Sequence, residues 1–205
     1  LIELPSSFPV ENRQCFFHPA GSMSRTSKQF SIKKLAKVVE NLASNGLKTL
    51  VHCHSYENAE VLSHYISVKH IVQYREDNRE SDPDRENERG REIVFQWMKS
   101  KTPLFLSVNF IEGLDLPDDL CRINVILKVP FPYEGDEYNQ QRIERYGRGW
   151  YYRETARKIV QAYGRGTRHK KDSSTTYILD SDFSGFYRRH SELFPSWFKE
   201  ALRRE

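Results

Sequence analysis

The stretch INVILKV, residues 123–129, is nearly all apolar, and PFP follows it at residues 130–132. Such a run predicts a strand buried on both faces of a parallel sheet, because a strand with one solvated face would alternate apolar and polar residues. The prolines end the strand, since proline has no backbone N–H to donate to a neighbouring strand. The stretch therefore favours an α/β fold with helices on both faces of a sheet.

Strand and helix patterns alternate on both sides of this stretch. Short apolar runs predict strands, and apolar residues at helical spacing predict amphipathic helices between them. The predicted strands cover residues 14–17, 49–54, 70–74, 104–108, 123–129 and 175–179, and the predicted helices cover residues 32–42, 59–66 and 93–98, with more helix from about 137 and terminal helices over 183–204. The alternation predicts one α/β domain over residues 1–205, with a mainly parallel central sheet.

The composition is that of a folded, water-soluble domain. Of the 205 residues, 38% are hydrophobic and 13% aromatic, and the net charge is +4. These values exclude wholesale disorder, and a mean hydropathy of −0.73 without a long apolar run excludes a membrane span. Three well-separated cysteines exclude a disulfide framework and favour a reducing, cytoplasmic setting. Because the chain begins Leu-Ile-Glu rather than with Met, we expect it to be part of a longer protein.

Positive charge is concentrated in residues 142–171, which hold ten Lys and Arg residues and two Glu, a local charge of +8. Aromatic residues are interleaved with these cations, a pattern that suits phosphate contacts combined with base stacking. The alternative is a basic helix whose aromatic side chains belong to the core. The aromatic residues concerned are Tyr146, Trp150, Tyr151, Tyr152 and Tyr163.

The loop NFIEGLDLP, residues 109–117, follows the predicted strand 104–108. It places Gly113 between the carboxylates of Glu112 and Asp115, at the carboxyl end of a strand, where ligands of open α/β sheets bind. A plain Gly-Asp turn that closes the strand is the alternative.

The segment QAYGRGTR, residues 161–168, carries a second candidate site. Gln161, Gly164, Arg165 and Arg168 fall at i, i+3, i+4 and i+7, so in a continuous helix they would share one face. Arginine suits a transferring phosphate, because its planar fork binds two oxygens and never loses its proton. The alternative is the basic, solvated end of a helix.

Together these segments resemble motifs V and VI of superfamily 2 DNA helicases of the XPD/DinG type. The resemblance consists of Glu-Gly-x-Asp after a strand, an apolar strand ending in Pro-Phe-Pro, Gln-x-x-Gly-Arg-x-x-Arg, and a closing strand that ends at Leu179-Asp180. Upstream, KTLVHCHSY at residues 48–56 resembles motif IV, and SFPVENR at residues 7–13 resembles the start of the second motor domain of these helicases. The resemblance extends over nearly the whole chain.

The resemblance implies a RecA-like, three-layer second motor domain that closes on a first one in the same parent chain. ATP would lie between the two domains, and single-stranded DNA would cross both, with 5′-to-3′ translocation. Arg165 and Arg168 would contact the ATP phosphates as catalytic residues. The other residues implied at the ATP cleft are Gln161, Gly164, Glu112, Gly113 and Asp115, and those implied to face the DNA are Ser55, Tyr56 and Asn109.

The chain also departs from the family pattern. Gly166-Thr167 stand where apolar residues usually separate the two arginines, and Asp182 stands where an Arg is usual. No G-x-x-x-x-G-K-[ST] phosphate loop and no Asp-Glu-Ala-His segment occurs in the 205 residues. We therefore expect ATP and Mg²⁺ to be held mainly by the first motor domain, and the isolated chain to be inactive as an ATPase.

Two rival functions follow from the sequence. One is a metal site formed by Cys15, His18, His52 and His54, although their spacing matches no common zinc pattern. The other is a non-catalytic α/β module that binds single-stranded nucleic acid through the +8 segment. Arg165 and Arg168 separate the helicase interpretation from this module, because only the helicase needs them to meet a nucleotide.

Overall fold

The structure is a computed structural model that describes residues 5–74, 83–108 and 115–204, with side chains of the third helix described from residue 88 onward. Over these residues the chain forms a seven-stranded sheet in the order β3-β4-β2-β5-β6-β1-β7, and every neighbouring pair is parallel. The strands are β1 (Cys15–Gly21), β2 (Thr49–His52), β3 (His70–Val72), β4 (Leu104–Ser107), β5 (Ile123–Ile126), β6 (Thr175–Asp180) and β7 (Leu202–Arg204).

Seven helices connect these strands within the described residues. They are α1 (Lys28–Ala43), α2 (Tyr56–Ser63), α3 (Pro83–Lys99), α4 (Glu137–Tyr146), α5 (Arg148–Tyr163), α6 (Asp182–His190) and α7 (Ser196–Ala201). None of the helices described combines the length and the apolar character needed to cross a membrane. The alternation of strand and helix and the predicted amphipathic helices are confirmed.

The sheet is covered on both faces. In β5, Val125 packs in the core formed with α1 and α2, whereas Ile126 packs on the opposite side against residues of α5 and α6. A third cluster joins α3 to the same side of the sheet as α5, through Trp97 and Phe105. These contacts confirm the prediction that the 123–129 run is buried on two faces.

Four strands, β2 to β5, are shorter than the sequence predicts, whereas β1 and β6 extend beyond their predicted ends. β5 ends at Ile126: the Leu127 N–H still donates to the carbonyl of His52, the last residue of β2, but the Val129 N–H donates to a side chain, Oδ2 of Asp180. The apolar run continues beyond the strand because these residues remain buried.

The prediction of helices throughout residues 183–204 is wrong at its end. Leu202–Arg204 form β7, which pairs in parallel with β1 at the edge of the sheet. Three residues with two arginines carry no periodicity of their own, so this strand exists only because Cys15 to Phe17 offer an unpaired edge. Propensity could not have found it.

Candidate functional site

The helix that carries the predicted arginines ends earlier than its spacing suggested. α5 stops at Tyr163, and Gly164 closes it by donating its N–H to the Val160 carbonyl. Arg165 and Arg168 therefore lie in the segment 164–168 that follows, called here the arginine turn. The expectation that they share a helical face with Gln161 is wrong.

Two contacts explain this early end. The side-chain amide of buried Asn124 donates to the Ala162 carbonyl at 2.7 Å, which takes up an acceptor of the last helical turn. Next, Gly166 lies so close to the backbone that a Cβ there would be 2.1 Å from Oγ of Ser174 and 2.8 Å from the carbonyl oxygen of Cys121. Gly166, one of the departures from the family pattern, thus permits a close approach that no larger residue would allow.

The turn brings two predicted site residues together. Nε of Arg168 lies 2.7 Å from Oδ1 of Asp115, although 53 positions separate them in the chain. The Arg168 side chain is 31% exposed and that of Asp115 is 68% exposed, so this ion pair lies at the surface. Arg165, by contrast, is buried, with 8% of its surface exposed. Arg168 is the arginine whose guanidinium reaches the solvent.

Asp172 organises this turn, and sequence reasoning missed it. Its carboxylate is fully buried. Oδ2 accepts the backbone N–H of Arg168 at 2.9 Å, and Oδ1 accepts the N–H of Asp118 and Nη1 of Arg122, each at 3.1 Å. One carboxylate therefore connects the arginine turn to the segment that leads from Asp115 into β5. The only signal in the sequence is an Asp before two serines, which is typical of many turns.

A cavity of about 360 Å³ opens beside Arg168. It offers guanidinium, hydroxyl and backbone donors together with aromatic surface. Its lining residues are Pro5, Ser6, Ser7, Phe8, Arg13, Tyr163, Gly164, Thr167, Arg168 and Trp197. The segment predicted to begin the domain, residues 7–13, thus meets the arginine turn in one place.

The cavity and the arginine turn lie at the amino ends of the strands. Arg122 immediately precedes β5, and the Ser174 N–H, just before β6, donates to the Asn12 carbonyl, just before β1. The sequence predicts the loop 109–117 at the carboxyl end of a strand, but its residue Asp115 lies here, at the amino ends. Because β4 and β5 are both parallel to β2, the amino end of β5 lies at the opposite end of the sheet from the carboxyl end of β4, which Asp115 follows in sequence.

Ser55 and Tyr56 lie at the opposite edge, after the carboxyl end of β2. Ser55 is the N-cap of α2, as predicted, and its Oγ accepts the Asn58 N–H at 3.1 Å. His54 adopts a φ of 69°, which is uncommon for a residue other than glycine, and its Nε2 donates to the Phe131 carbonyl at 3.1 Å. This contact joins the loops that follow β2 and β5. Asn109, Glu112 and Gly113 lie outside the described residues.

Burial keeps the two histidines of this region neutral. The pKa of His52 falls to about 3, first because of burial and second because of the nearby Arg165 charge. Burial, followed by the charge of Lys128, lowers the pKa of His54 to about 4, against a weaker opposing effect of its bond to Phe131.

The predicted metal ligands do not form a cluster. Among the described residues, the potential ligand atoms that converge within 4.8 Å belong to Asp118, His169 and Asp172, not to Cys15, His18, His52 and His54. Burial raises the pKa of the Cys15 thiol far above its usual range, which disfavours the thiolate that a metal needs. The oxygens of Asp172 already accept hydrogen bonds.

The aromatic residues of the +8 segment divide between core and surface. Tyr151 and Tyr163 are buried, so the alternative of core aromatics is correct for these two. Tyr146 is 47% exposed, and Trp150 and Tyr152 are half-buried. Asp182, which stands where the family pattern has an arginine, begins α6. Its Oδ2 accepts a hydrogen bond from the Ser22 hydroxyl at 3.1 Å.

Comparisons with known proteins agree with this architecture. The family described as Helicase C-terminal domain matches residues 38–201, so the chain belongs to that family. The chain is 30% identical over 108 residues to a "Regulator of telomere elongation helicase 1 homolog" of Caenorhabditis briggsae, and 29% identical over 108 residues to the protein of the same description in Caenorhabditis elegans. Each match covers 45% of this chain and 11% of the relative.

Solved structures show the same fold. A structure described as "XPD_APO" matches with a TM-score of 0.68 and 16% identity over 95% of this chain and 40% of that one. A structure of S. tokodaii Xpd4 matches with a TM-score of 0.63 and 19% identity over 98% of this chain and 39% of that one. The domain is a helicase C-terminal domain with a RecA-like α/β fold. Within that class it is of the XPD/DinG-like type of superfamily 2, as its motifs indicated.

The role of Asp172 as an organiser predicts a large loss of stability on its removal. In Asp172→Ala, three backbone N–H groups and the Arg122 guanidinium lose a buried acceptor, which should lower the free energy of unfolding by about 2 to 4 kcal/mol. Urea denaturation measures the change. The control is Asp119→Ala, whose carboxylate pairs with the same arginine but is 92% exposed, and it should cost less than about 1 kcal/mol. Equal losses in the two variants would contradict this role.

The neutral state of His54 predicts a pH dependence of stability. Between pH 6.5 and 4 the unfolded histidine binds a proton that the folded one refuses, so stability falls as the pH falls through this window. At pH 5 the loss due to His54 is about 2 kcal/mol relative to pH 8. Asparagine tolerates the positive φ of this position, so His54→Asn is the variant to use. In this variant the difference in unfolding free energy between pH 8 and pH 5 should shrink by about 2 kcal/mol, and the part due to His52 should remain. A difference identical to that of the wild type would show that His54 titrates alike in both states.

Proposed function

We propose that this chain is the second motor domain of an ATP-dependent DNA helicase, in which the arginine turn completes the ATP site. The observation that carries the proposal is the ion pair between Arg168 and Asp115. The backbone of Arg168 is bound by buried Asp172, and its side chain lines a cavity. Membership of the helicase C-terminal family supports it. Both residues come from segments that resemble motifs V and VI, and they meet only through folding.

The donors around this ion pair suit phosphate oxygens. Gly164 is exposed, and a Cβ there would meet nothing closer than 3.5 Å, so a phosphate can approach the backbone. Arg168 supplies a planar fork. Arg13 and Thr167 line the same cavity and shape it, because their side chains already donate to the Phe8 and Asn12 carbonyls.

The Arg168 guanidinium can leave the Asp115 carboxylate and bind a phosphate instead. An exposed ion pair contributes about 1 kcal/mol or less, so leaving Asp115 costs little compared with meeting a phosphate in a closed cleft. Meanwhile the backbone N–H of Arg168 stays bound to Asp172, which fixes the base of the side chain while its tip moves. When the two motor domains close, the guanidinium would meet the terminal phosphate as negative charge redistributes in the transition state.

The carboxyl edge of the sheet would serve the nucleic acid. Ser55 and Tyr56 begin α2 at this edge, and Asn109 follows β4, the strand next to β2. The parent would move 5′ to 3′ along a single strand, as the family resemblance implies, in a process such as DNA repair. ATP would thus lie at the amino ends of the β-strands, and the single-stranded DNA at their carboxyl ends.

Replacing Arg168 tests the ATP site in the parent protein. An arginine that stabilises phosphoryl transfer is worth about 10³ to 10⁵ in rate, roughly 4 to 7 kcal/mol. Arg168→Ala should therefore abolish DNA-stimulated ATP hydrolysis, and Arg168→Lys should be nearly as damaging because a point charge cannot replace the fork. Turnover and thermal melting are measured on the same preparations.

The control for this experiment is Arg157→Ala. Arg157 lies on the exposed side of α5 and pairs with Glu154 one turn away, so turnover should stay near that of the wild type. If an Arg168→Ala variant of normal stability retained a third or more of the turnover, Arg168 would be an ordinary surface residue, and the non-catalytic binding module would be favoured.

The isolated chain of 205 residues should not hydrolyse ATP. Its arginines can stabilise a transferring phosphate, but without a phosphate loop nothing positions one. The measurement is phosphate release by the purified chain with and without single-stranded DNA. Release above background that Arg168→Ala abolishes would contradict the assignment of the chain as half of a motor.

A further inference from the structure

α4 is an amphipathic helix without a buried face. None of its residues in Glu137–Tyr146 is buried, and its main packing partner is α5. It nevertheless carries two large exposed aromatic side chains, Tyr138 at 58% and Tyr146 at 47%, and Tyr133 at 75% precedes it. Aromatic surface left in water in this amount needs an explanation, because burying it against the domain would be favourable.

The exposed tyrosines are arranged as a stripe with an arginine between them. Tyr138, Arg142 and Tyr146 lie at i, i+4 and i+8 on one side of α4. The Arg142 guanidinium lies 4.8 Å from the ring centroid of Tyr138 and 5.7 Å from that of Tyr146. Arg145 lies 5.4 Å from the ring of Tyr146. Cation and ring contacts therefore hold the stripe in order while it stays exposed.

The charges of the stripe are not neutralised. Among the residues that the structure describes, neither Arg142 nor Arg145 forms an ion pair with a carboxylate. Arg148 and Arg157 nearby do, with Glu134 and Glu154. The two cations of α4 that remain available are thus those that contact the exposed tyrosines. An unpaired cation beside an open aromatic face matches a phosphate beside a base.

The stripe lies near the edge that would carry the nucleic acid. The chain reaches α4 from the carboxyl end of β5, and Phe131 in this connection accepts Nε2 of His54, the residue before Ser55. Phe131 in turn stacks on Tyr151 of α5, with ring centroids 5.9 Å apart. One set of contacts therefore connects the start of α2 with the helix pair α4 and α5.

We propose that Tyr138, Arg142 and Tyr146 form a stacking surface for the bases of single-stranded nucleic acid, continuous with the edge at Ser55 and Tyr56. The rings would stack on bases, and Arg142 and Arg145 would contact phosphates. The inference extends the proposed function and rests on it for the direction of the track. It adds a contact surface outside the segments that resemble helicase motifs.

The test is the affinity of the parent protein for a fluorescent oligodeoxythymidine, measured by anisotropy at two salt concentrations. Loss of both stacks in Tyr138→Ala/Tyr146→Ala should weaken binding at least about tenfold. Tyr138→Phe/Tyr146→Phe should bind like the wild type, because the ring and not the hydroxyl is used. The alanine pair should leave the salt dependence nearly unchanged, whereas Arg142→Gln should reduce its slope by about one.

The matched control is Tyr65→Ala. Tyr65 is 44% exposed and lies beneath Lys33 at 5.6 Å, so it is also an open ring beside a cation, but it follows α2 at its far end. Its removal should leave the affinity within about twofold of the wild type. Thermal melting and ATP hydrolysis without DNA should be unaltered in all the tyrosine variants, because no residue of α4 is buried.

Two results would overturn the proposal in distinguishable ways. Affinity within about twofold of the wild type in Tyr138→Ala/Tyr146→Ala, with ordinary binding by the wild type, would exclude α4 from the track and favour a protein partner for this surface, while the proposed function stands. Absence of single-stranded DNA binding by the wild-type parent itself would overturn both. An equal loss in Tyr65→Ala would show that the effect is not specific to α4.

Discussion

Burial of the central strands on both faces is the constraint on which the rest of the structure depends. Val125 and Ile126 of β5 pack on opposite sides of the sheet, so helices must cover both faces and only the rows of strand ends remain open. Polar groups at the strand ends are therefore well placed to meet a ligand. The arginine turn, with Asp172 beneath it, occupies the amino edge, and the start of α2 occupies the carboxyl edge. Separation of the two candidate surfaces follows from how the sheet is buried.

At the amino edge, a buried carboxylate fixes the backbone and leaves the side chain of Arg168 adjustable. The carboxylate oxygens of Asp172 accept hydrogen bonds from backbone N–H groups and from Arg122, all within the domain. Asp172 therefore contributes to the shape of the turn. Asp115 meets Arg168 at the surface, where water weakens the ion pair. A rigid base with a weakly held tip is the arrangement that a domain needs when its arginine acts only after closure onto a partner. Glycine at position 166 is part of this shape, because the turn packs against the Cys121 backbone.

The sequence alone reveals those features of the fold and site that depend on neighbouring residues. The apolar run at 123–129 predicts a doubly buried strand, and Ser55 is recognisable as an N-cap, because both signals are local. The end of α5 is not predictable in this way, since Asn124 takes up the Ala162 carbonyl from 38 positions away. β7 depends on the unpaired side of β1, and the pairing of Asp115 with Arg168 joins residues 53 positions apart in the chain. Motif resemblance selected both of those site residues, but only the fold shows that Arg165 is buried and Arg168 open.

α5 runs from the carboxyl ends of the strands to the arginine turn. Its sixteen residues span about 24 Å. Near its first turn, Tyr151 packs on Phe131, whose carbonyl accepts a hydrogen bond from His54. In its last turn, the Ala162 carbonyl accepts a hydrogen bond from the side chain of Asn124. Ile159 and Tyr163 pack this helix into the core, so we expect it to resist bending. Under the proposed function, a change in how a strand is held at the carboxyl edge would displace the arginine turn through this helix. The mechanical link between nucleic acid and ATP would then lie within this domain, as well as in its closure on the first motor domain.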